Sequence, residues 1–369
     1  MLLMANEPPL RLGKQARNVL AALTVAAACF LCGCQSLSHP RGGSFSRFKS
    51  FDNSPADWAA TTNTSGARVL LSGKIPAGIP WNELIVSWNA TAPDGTFLKV
   101  EAAAISGIHQ TKFYTMGLWS LDGNVFPRTS VPDQADADGT VDTDTLVLNH
   151  PADAAQLRVT LGGTNGAAPT LKFIGLSFAN TKAPAAAHPP NRAAWGRDIP
   201  TPERSQHGYP GQNGWCSPAA LSMVLSRWAE VLHRPELNLP VPQVAAAVYD
   251  RAFNGTGNWP FNTAFAGSFD GMRAYVTRFN DLSEVENWIA AGIPVILSAR
   301  WDWLEPGRPL DRDGHLIVCI GFTASGDVIV NDPASRPGEP VRRIYQRANV
   351  IHAWSHSHNT VYLVYPDSR

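Results

Sequence analysis

Between Cys216 and Leu232 the apolar residues Leu221, Val224, Leu225, Trp228 and Leu232 recur at i, i+3, i+4 and i+7, the spacing that lines one face of a helix. Pro218 suits the first turn, where its missing N–H would be unpaired anyway, so the pattern predicts a long amphipathic helix with Cys216 just before its first residue. Upstream, residues 61–180 switch to a period of two. Candidate strands are Arg68–Ser72, Glu83–Trp88, Thr96–Ala102, Lys112–Leu118, Thr143–Leu148, Gln156–Leu161 and Leu171–Phe178, bounded by turn sequences such as Pro-Asp-Gly and Leu-Asp-Gly. Many short strands with no helical pattern between them predict an antiparallel β-sandwich over 61–180. Downstream, Ser283 and Glu286 form a capping-box pattern for a helix through Ile289, stopped by Gly292 and Pro294. Strands follow at Val295–Ala299, His315–Phe322, Val328–Asn331, Val341–Tyr345 and Val361–Tyr365, the order of an α+β domain over 200–369.

The N-terminus carries a different pattern. Arg11, Lys14 and Arg17 precede an uncharged apolar run from Val19 to Leu31, a basic region followed by a signal-peptide core too short to span a bilayer. The LCGC sequence from Leu31 to Cys34 resembles the lipobox of bacterial lipoproteins. That resemblance implies cleavage after residue 33 and a lipidated Cys34, hence a membrane-anchored protein of the cell envelope, at the outer membrane or on a periplasmic or extracellular face. An ordinary secretory signal is the competing reading. Residues 34–60, rich in Ser, Pro, Arg and Gly, read as a tether, and the Ala/Pro-rich segment 181–199 as a semi-rigid linker between the domains.

Composition narrows the function classes. Lys+Arg and Asp+Glu both number 30 among 369 residues, so no net field draws the chain to nucleic acid. The acidic loop containing Asp136, Asp138, Gly139 and Asp142 has Gln134 and Thr145 where an EF-hand register would need Asp and Glu, and it reads as a solvated loop. His352, His356 and His358 have no acidic or Cys neighbour and read as a surface run, so neither a metal nor a cofactor is expected. Trp81, Trp88, Tyr114 and Trp119 fit sandwich-core aromatics, with exposed stacking platforms for a glycan as the alternative.

Chemistry concentrates on Cys216. At a helix N-terminus, unpaired N–H groups and the positive end of the helix dipole favour a thiolate over a thiol. With Cys29 and Cys32 removed in the signal and Cys34 lipidated, only Cys216 and Cys319 remain in the mature chain. His315, following Asp313-Gly314 at a strand start, is the histidine placed to serve as a base. If 315–322 and 328–331 pair as a hairpin, Asp332 returns towards the His315 end and can orient it. Cys319 lies about 13 Å along the strand from His315, too far for a Cys216 that uses His315 to form a disulfide with it. Trp259, Trp301 and Trp303, the last two in the long 300–312 connection, are candidates to line the cleft.

The sequences WCSP at a helix start, GHLIVCIGF and VIVNDPA are similar to those of papain-like cysteine peptidases of the bacteriocin-leader-processing type, over roughly 200–367. The resemblance implies Cys216 as nucleophile, His315 as general base and acid, and Asp332 as the orienting residue. It also implies an upstream glutamine supporting the oxyanion, with Gln206 favoured over Gln212. Ser217 stands where many relatives have Gly, and the exporters' membrane and ATPase parts are absent, so their leader specificity is not carried over. The expected function is thiol hydrolysis of a peptide or protein substrate in the envelope. Two other readings stand beside it: hydrolysis of peptidoglycan stem peptides or cross-links, and a catalytically silent carbohydrate-binding or adhesin-like lipoprotein acting through a glycan or protein ligand of the sandwich.

Overall fold

The computed structural model describes residues 45–367 apart from 54, 56, 165, 211–213 and 312–313. The segment expected as a signal, Cys34 and Gln212 lie outside the described residues. The described residues all belong to one compact unit. Among the described residues no helix is long and apolar enough to cross a membrane.

The N-terminal region is all β. Its strands are β1 (Ser46–Asp52), β2 (Ala59–Thr62), β3 (Arg68–Leu71), β4 (Ile75–Thr91), β5 (Thr96–Ser106), β6 (His109–Gln110), β7 (Tyr114–Trp119), β8 (Gly139–Asp142), β9 (Thr145–Gly163) and β10 (Thr170–Ala179). All pairings are antiparallel and belong to one hydrogen-bonded sheet. Two separately bonded sheets, as a sandwich would have, are not what the pairing gives. The two predicted strands 143–148 and 156–161 are one long element, β9, which pairs with β4 and β8 near its start and with β5 and β3 near its end. The sheet thereby curls over a core in which Trp81, Trp88, Tyr114 and Trp119 are all fully buried, removing them as exposed glycan platforms. The expected tether 34–60 is also corrected: from Ser46 onward it is β1, paired along β10.

The C-terminal region contains a six-stranded antiparallel sheet in the order β11-β16-β12-β13-β14-β15. These are β11 (Met272–Arg278), β12 (Val295–Arg300), β13 (Gly314–Phe322), β14 (Val328–Asn331), β15 (Arg342–Tyr345) and β16 (Thr360–Pro366). The helices are α1 (Cys216–Leu232), α2 (Val241–Val248), α3 (Trp259–Ala266), α4 (Leu282–Ala290) and α5 (Arg347–Ser355). Strand alternation divides the helices between two faces. Leu316, Val318 and Ile320 of β13 share a core with α1, α2 and α3, whereas Ile317 and Cys319 face α4 and α5. The cap of α4 is Asp281, whose side chain accepts the Ser283 N–H, and not Ser283 itself. Glu286, freed from capping, accepts from Trp195, Asn191 and Arg347.

The segment expected as a linker is an ordered strap. Asn191 and Trp195 hold α4 through Glu286, and Trp195 and Asp198 form isolated bridges to Phe322 and Gly321. A Cβ at Gly321 would stand 2.1 Å from the Arg197 carbonyl oxygen, so the strap's approach requires glycine there.

The two regions meet along β4. Its first half alternates buried and exposed residues, but from Trp81 to Ala90 every position is buried. Leu84, Val86, Trp88 and Ala90 enter the N-terminal core, while Ile85 joins the core of α1 and Ser87 and Asn89 bond β11. The Asn89 amide acts as a substitute strand, donating to the Ala274 carbonyl and accepting its N–H. Glu83 completes the seam with a 2.6 Å ion pair to Arg278, whose side chain is 3% exposed. Removing one partner of so buried a pair strands the other charge. Arg278→Met is expected to lower unfolding stability by about 3–5 kcal/mol, and Glu83→Leu added to it to recover a large part, both read by urea denaturation.

Candidate active site

Each element delivers one group. Helix α1 begins at Cys216 itself, one residue earlier than the expected start, and the first-turn N–H groups have no intrahelical acceptors. Trp215, at the cap, makes no side-chain capping bond. Strand β13 starts at Gly314 and presents His315, which is 5% exposed, at its head. The β13–β14 hairpin sets Val318 opposite Asn331, so the chain leaving β14 carries Asp332 back along β13.

The Asp332 carboxylate is 2.7 Å from His315 Nε2. With Nε2 so engaged, Nδ1 is the ring nitrogen left to face Cys216, whose thiol lies near enough to contribute to raising the imidazole's pKa. Asp332 Oδ1 also accepts the Ala334 N–H, and Oδ2 accepts the Tyr345 hydroxyl at 2.6 Å. Arg308 donates to the same hydroxyl at 2.8 Å and stands 3.9 Å from Oδ2. Burial opposes charge on both His315 and Asp332. Their mutual attraction and the hydrogen bonds around them outweigh it, raising the pKa of the imidazole and holding the carboxyl below its usual range. The arrangement can hold a protonated imidazole against a sulfur and return a proton to a leaving group.

Gln206 is held beside the residue that follows Asp332. Its N–H donates to the Pro333 carbonyl at 2.8 Å, Ser205 bonds Ser335, and its own Oε1 is buried without a hydrogen-bond partner. Cys319 is excluded from the chemistry. Cys216 and Cys319, the two cysteines among the described residues, are free thiols, Cys319 faces α4 and α5, and burial pushes its thiol up to about 12.

A cleft of about 620 Å³ opens beside Cys216, lined also by Gly314, Leu316, Ser298 and Trp259. Of the three tryptophans expected there, only Trp259 contributes. Trp301 lies under Arg308 beside a second cavity that touches Asp332, and Trp303 stacks on His352 with ring centroids 4.1 Å apart. The histidine run is dispersed. His352 stacks, His356 borders the cleft and His358 approaches Glu83 at 3.5 Å. Among the described residues no group of His, Cys, Asp and Glu could hold a metal ion. In the acidic loop, Asp136 is engaged by Lys112 at 2.9 Å and by the backbone N–H groups of Asp138 and Gly139.

Sequence reasoning missed Tyr345 and Arg308, which buttress Asp332, and the turn Asp142–Thr145, which forms one wall of the cleft. Tyr345 ends a predicted strand, but nothing in a period-two pattern shows which hydroxyl meets a carboxylate.

The lowered carboxyl contributes stability that is present above about pH 3.9 and lost as pH falls through its folded value. The raised imidazole contributes stability that is present below about pH 6.5 and lost as pH rises towards its folded value. Asp332→Asn is therefore expected to destabilise most between about pH 4 and 6.5. The deficit should narrow at higher pH in urea titrations. A deficit constant from pH 5 to 9 would mean that the pair is not charged in the folded protein.

Comparison with known families matches this division of the chain. Residues 47–179 match the model described as Peptidase C39 N-terminal domain, and residues 198–362 the Peptidase_C39 like family. No curated protein matches the chain. Among solved structures, a protein described as a C39-like peptidase from Bacillus anthracis aligns at 16% identity and a TM-score of 0.36, over 47% of this chain and 99% of that one. A family two carbohydrate esterase from Cellvibrio japonicus aligns at 12% identity and a TM-score of 0.18, over 51% of this chain and 50% of that one. Two segments of the chain are thus similar to Peptidase C39 family domains, an N-terminal one followed by a C39-like one.

Proposed function

We propose that this protein is a cell-envelope lipoprotein, anchored through Cys34, whose C-terminal domain hydrolyses peptide or amide bonds with Cys216 as nucleophile. The observation that carries the reading is the grouping of Cys216 with the hydrogen-bonded pair His315 and Asp332, the pair buried and Cys216 bordering a cleft. Cys216 Sγ attacks the carbonyl carbon as a thiolate, its proton having passed to His315. The developing oxyanion is met by the Cys216 N–H, the first of α1, and by the Gln206 amide. His315 then protonates the leaving amine as the carbon–nitrogen bond breaks, which leaves a thioester on Cys216. Water, deprotonated by His315, attacks the thioester, and the acid and free thiol are released. Asp332 fixes the ring plane and sustains the imidazolium between these transfers, with Tyr345 and Ala334 holding the carboxylate in turn. Papain-like architecture for residues 200–369 follows from the same reading: a cysteine at a helix N-terminus and a histidine on an adjoining antiparallel sheet.

Iodoacetamide labelling of Cys216, located by peptide mass mapping, tests the reading. Labelling in the wild-type protein should be fast and slow markedly in His315→Ala. Hydrolysis of a peptide mixture should vanish in Cys216→Ala and fall about 10²–10⁴-fold in His315→Ala. Labelling at the rate of an ordinary thiol irrespective of His315 would sink the reading. Anchoring is tested separately: Cys34→Ala should move the protein from the membrane fraction to the soluble fraction of expressing cells without altering Cys216 labelling.

A further inference from the structure

The N-terminal sheet reaches the Cys216 cleft at one place, the turn joining β8 and β9. Asp142 pairs with Thr145, leaving only Thr143 and Asp144 between the strands. Thr143 has φ of +55°, and the Asp144 N–H donates to the Asp142 carbonyl at 2.6 Å. This is a three-residue turn of the strained kind, centred on a β-branched residue that rarely takes positive φ. Its effect is to set the Asp144 side chain, in a residue only 6% exposed, into the wall of the cleft beside Trp259.

Two donors reach the Asp144 carboxylate, the Trp259 N–H at 2.7 Å and the Thr145 hydroxyl at 3.1 Å. No ion pair involves it among the described residues. Arg278, the nearby cation that senses its charge, is already paired with Glu83. The cleft as a whole has the same sign: its described lining contains Asp142 and Asp144 and neither Lys nor Arg. His356, at its edge, has its pKa lowered by burial and by Arg300, so it supplies little positive charge at neutral pH. This polarity is local, since acidic and basic residues balance over the chain. An indole and a carboxylate without a counter-ion, in one wall beside a nucleophile, are the groups that recognise an ammonium.

We propose that Asp144, supplied by the N-terminal domain, is a specificity residue of the C-terminal domain's cleft and binds a substrate ammonium group close to the scissile bond. The inference rests on Cys216 being the nucleophile. It also gives the N-terminal domain a role in catalysis, since that domain completes the substrate site. Burial, with Asp142 and Asp250 nearby, raises the Asp144 carboxyl to about 7, a setting in which an arriving cation stabilises the ionised form. A basic side chain and a free peptide α-amine are the two sources of such an ammonium, and both present the same charge to the carboxylate.

The test reads Cys216 with thiol reagents of one reactive group and different charge, at pH 8 on the full-length protein. Rates for 2-aminoethyl, 2-sulfonatoethyl and methyl methanethiosulfonate are each divided by the rate with free cysteine. The expected result is a cationic-over-anionic preference of about tenfold, about 0.7 kcal/mol of attraction for the cation and as much repulsion for the anion, each the size of a solvent-screened ion pair. A protonated His315 acting alone would favour the anionic reagent, so the sign is diagnostic. Asp144→Asn should abolish the preference, read as the ratio of the two charged reagents' rates within the variant. If Asp144 serves only as a cap on α3, the preference will be absent in the wild-type protein or unchanged in Asp144→Asn, and either outcome overturns the proposal. The wild-type measurement stands even if the variant fails to fold. Protection of Cys216 from the neutral reagent by Nα-acetyl-lysinamide or by alaninamide then separates the side-chain from the α-amine source, and protection by neither overturns the proposal. Failure of the peptidase reading looks different: the neutral reagent's rate would not respond to His315→Ala, whatever the charge preference.

Discussion

Strand β4 has no solvent face over its second half, and the rest of the molecule follows from that constraint. A strand buried on both sides must satisfy two cores at once, so its odd and even residues are committed to different partners. Apolar contact alone would let the two regions slide. The Asn89 amide, the Ser87 hydroxyl and the Glu83–Arg278 pair fix the register, because a displacement would leave buried polar groups without partners. A close approach helps: a Cβ on Gly267 would fall 2.0 Å from the Asn89 amide, so the end of α3 can lie against β4 only with glycine there.

This seam has a catalytic consequence. Because β4 pairs with β9, fixing β4 fixes the turn at the start of β9, and that turn walls the cleft next to Cys216. The N-terminal sheet is thus structurally continuous with the site. On the other side, Asp332 shows the same economy. One buried carboxylate receives the imidazole, a tyrosine hydroxyl and a backbone N–H, which makes its charge tolerable in the interior and its position unambiguous. Arg308, from the long connection between β12 and β13, ties that loop to the same point through Tyr345.

Local signals carried much of this. Apolar spacing and Pro218 located the helix that starts at Cys216, and alternation located β3, β5, β7, β10 and the strands of the C-terminal sheet other than β11, which no pattern marked. The proximity of His315 and Asp332 was also legible, because a hairpin of known ends determines which residues return to which end. Where reading failed, a local rule met a non-local partner. β1 looked like a tether because its sequence SRFKSFD is polar, and only pairing with β10 makes it a strand. The strap at 181–199 looked like a free linker because Ala/Pro-rich chain has no period, yet Glu286 and Gly321 hold it in place. Ser283 looked like a cap, but Asp281 was two residues nearer the chain's entry and took the N–H groups.

The sequence by itself determined the identity of the reactive groups and the local geometry that aims them: a cysteine at a helix start, a histidine at a strand head and an aspartate after a hairpin. These depend on backbone periodicity and short loops, which are written in adjacent residues. Only the tertiary structure decided that the N-terminal strands form one curled sheet, that Tyr345 and Arg308 support Asp332, and that Asp144 borders the cleft. Asp144 lies 72 positions before Cys216 in the chain. Contacts at that separation are set by how two cores share a strand, and no local pattern encodes that.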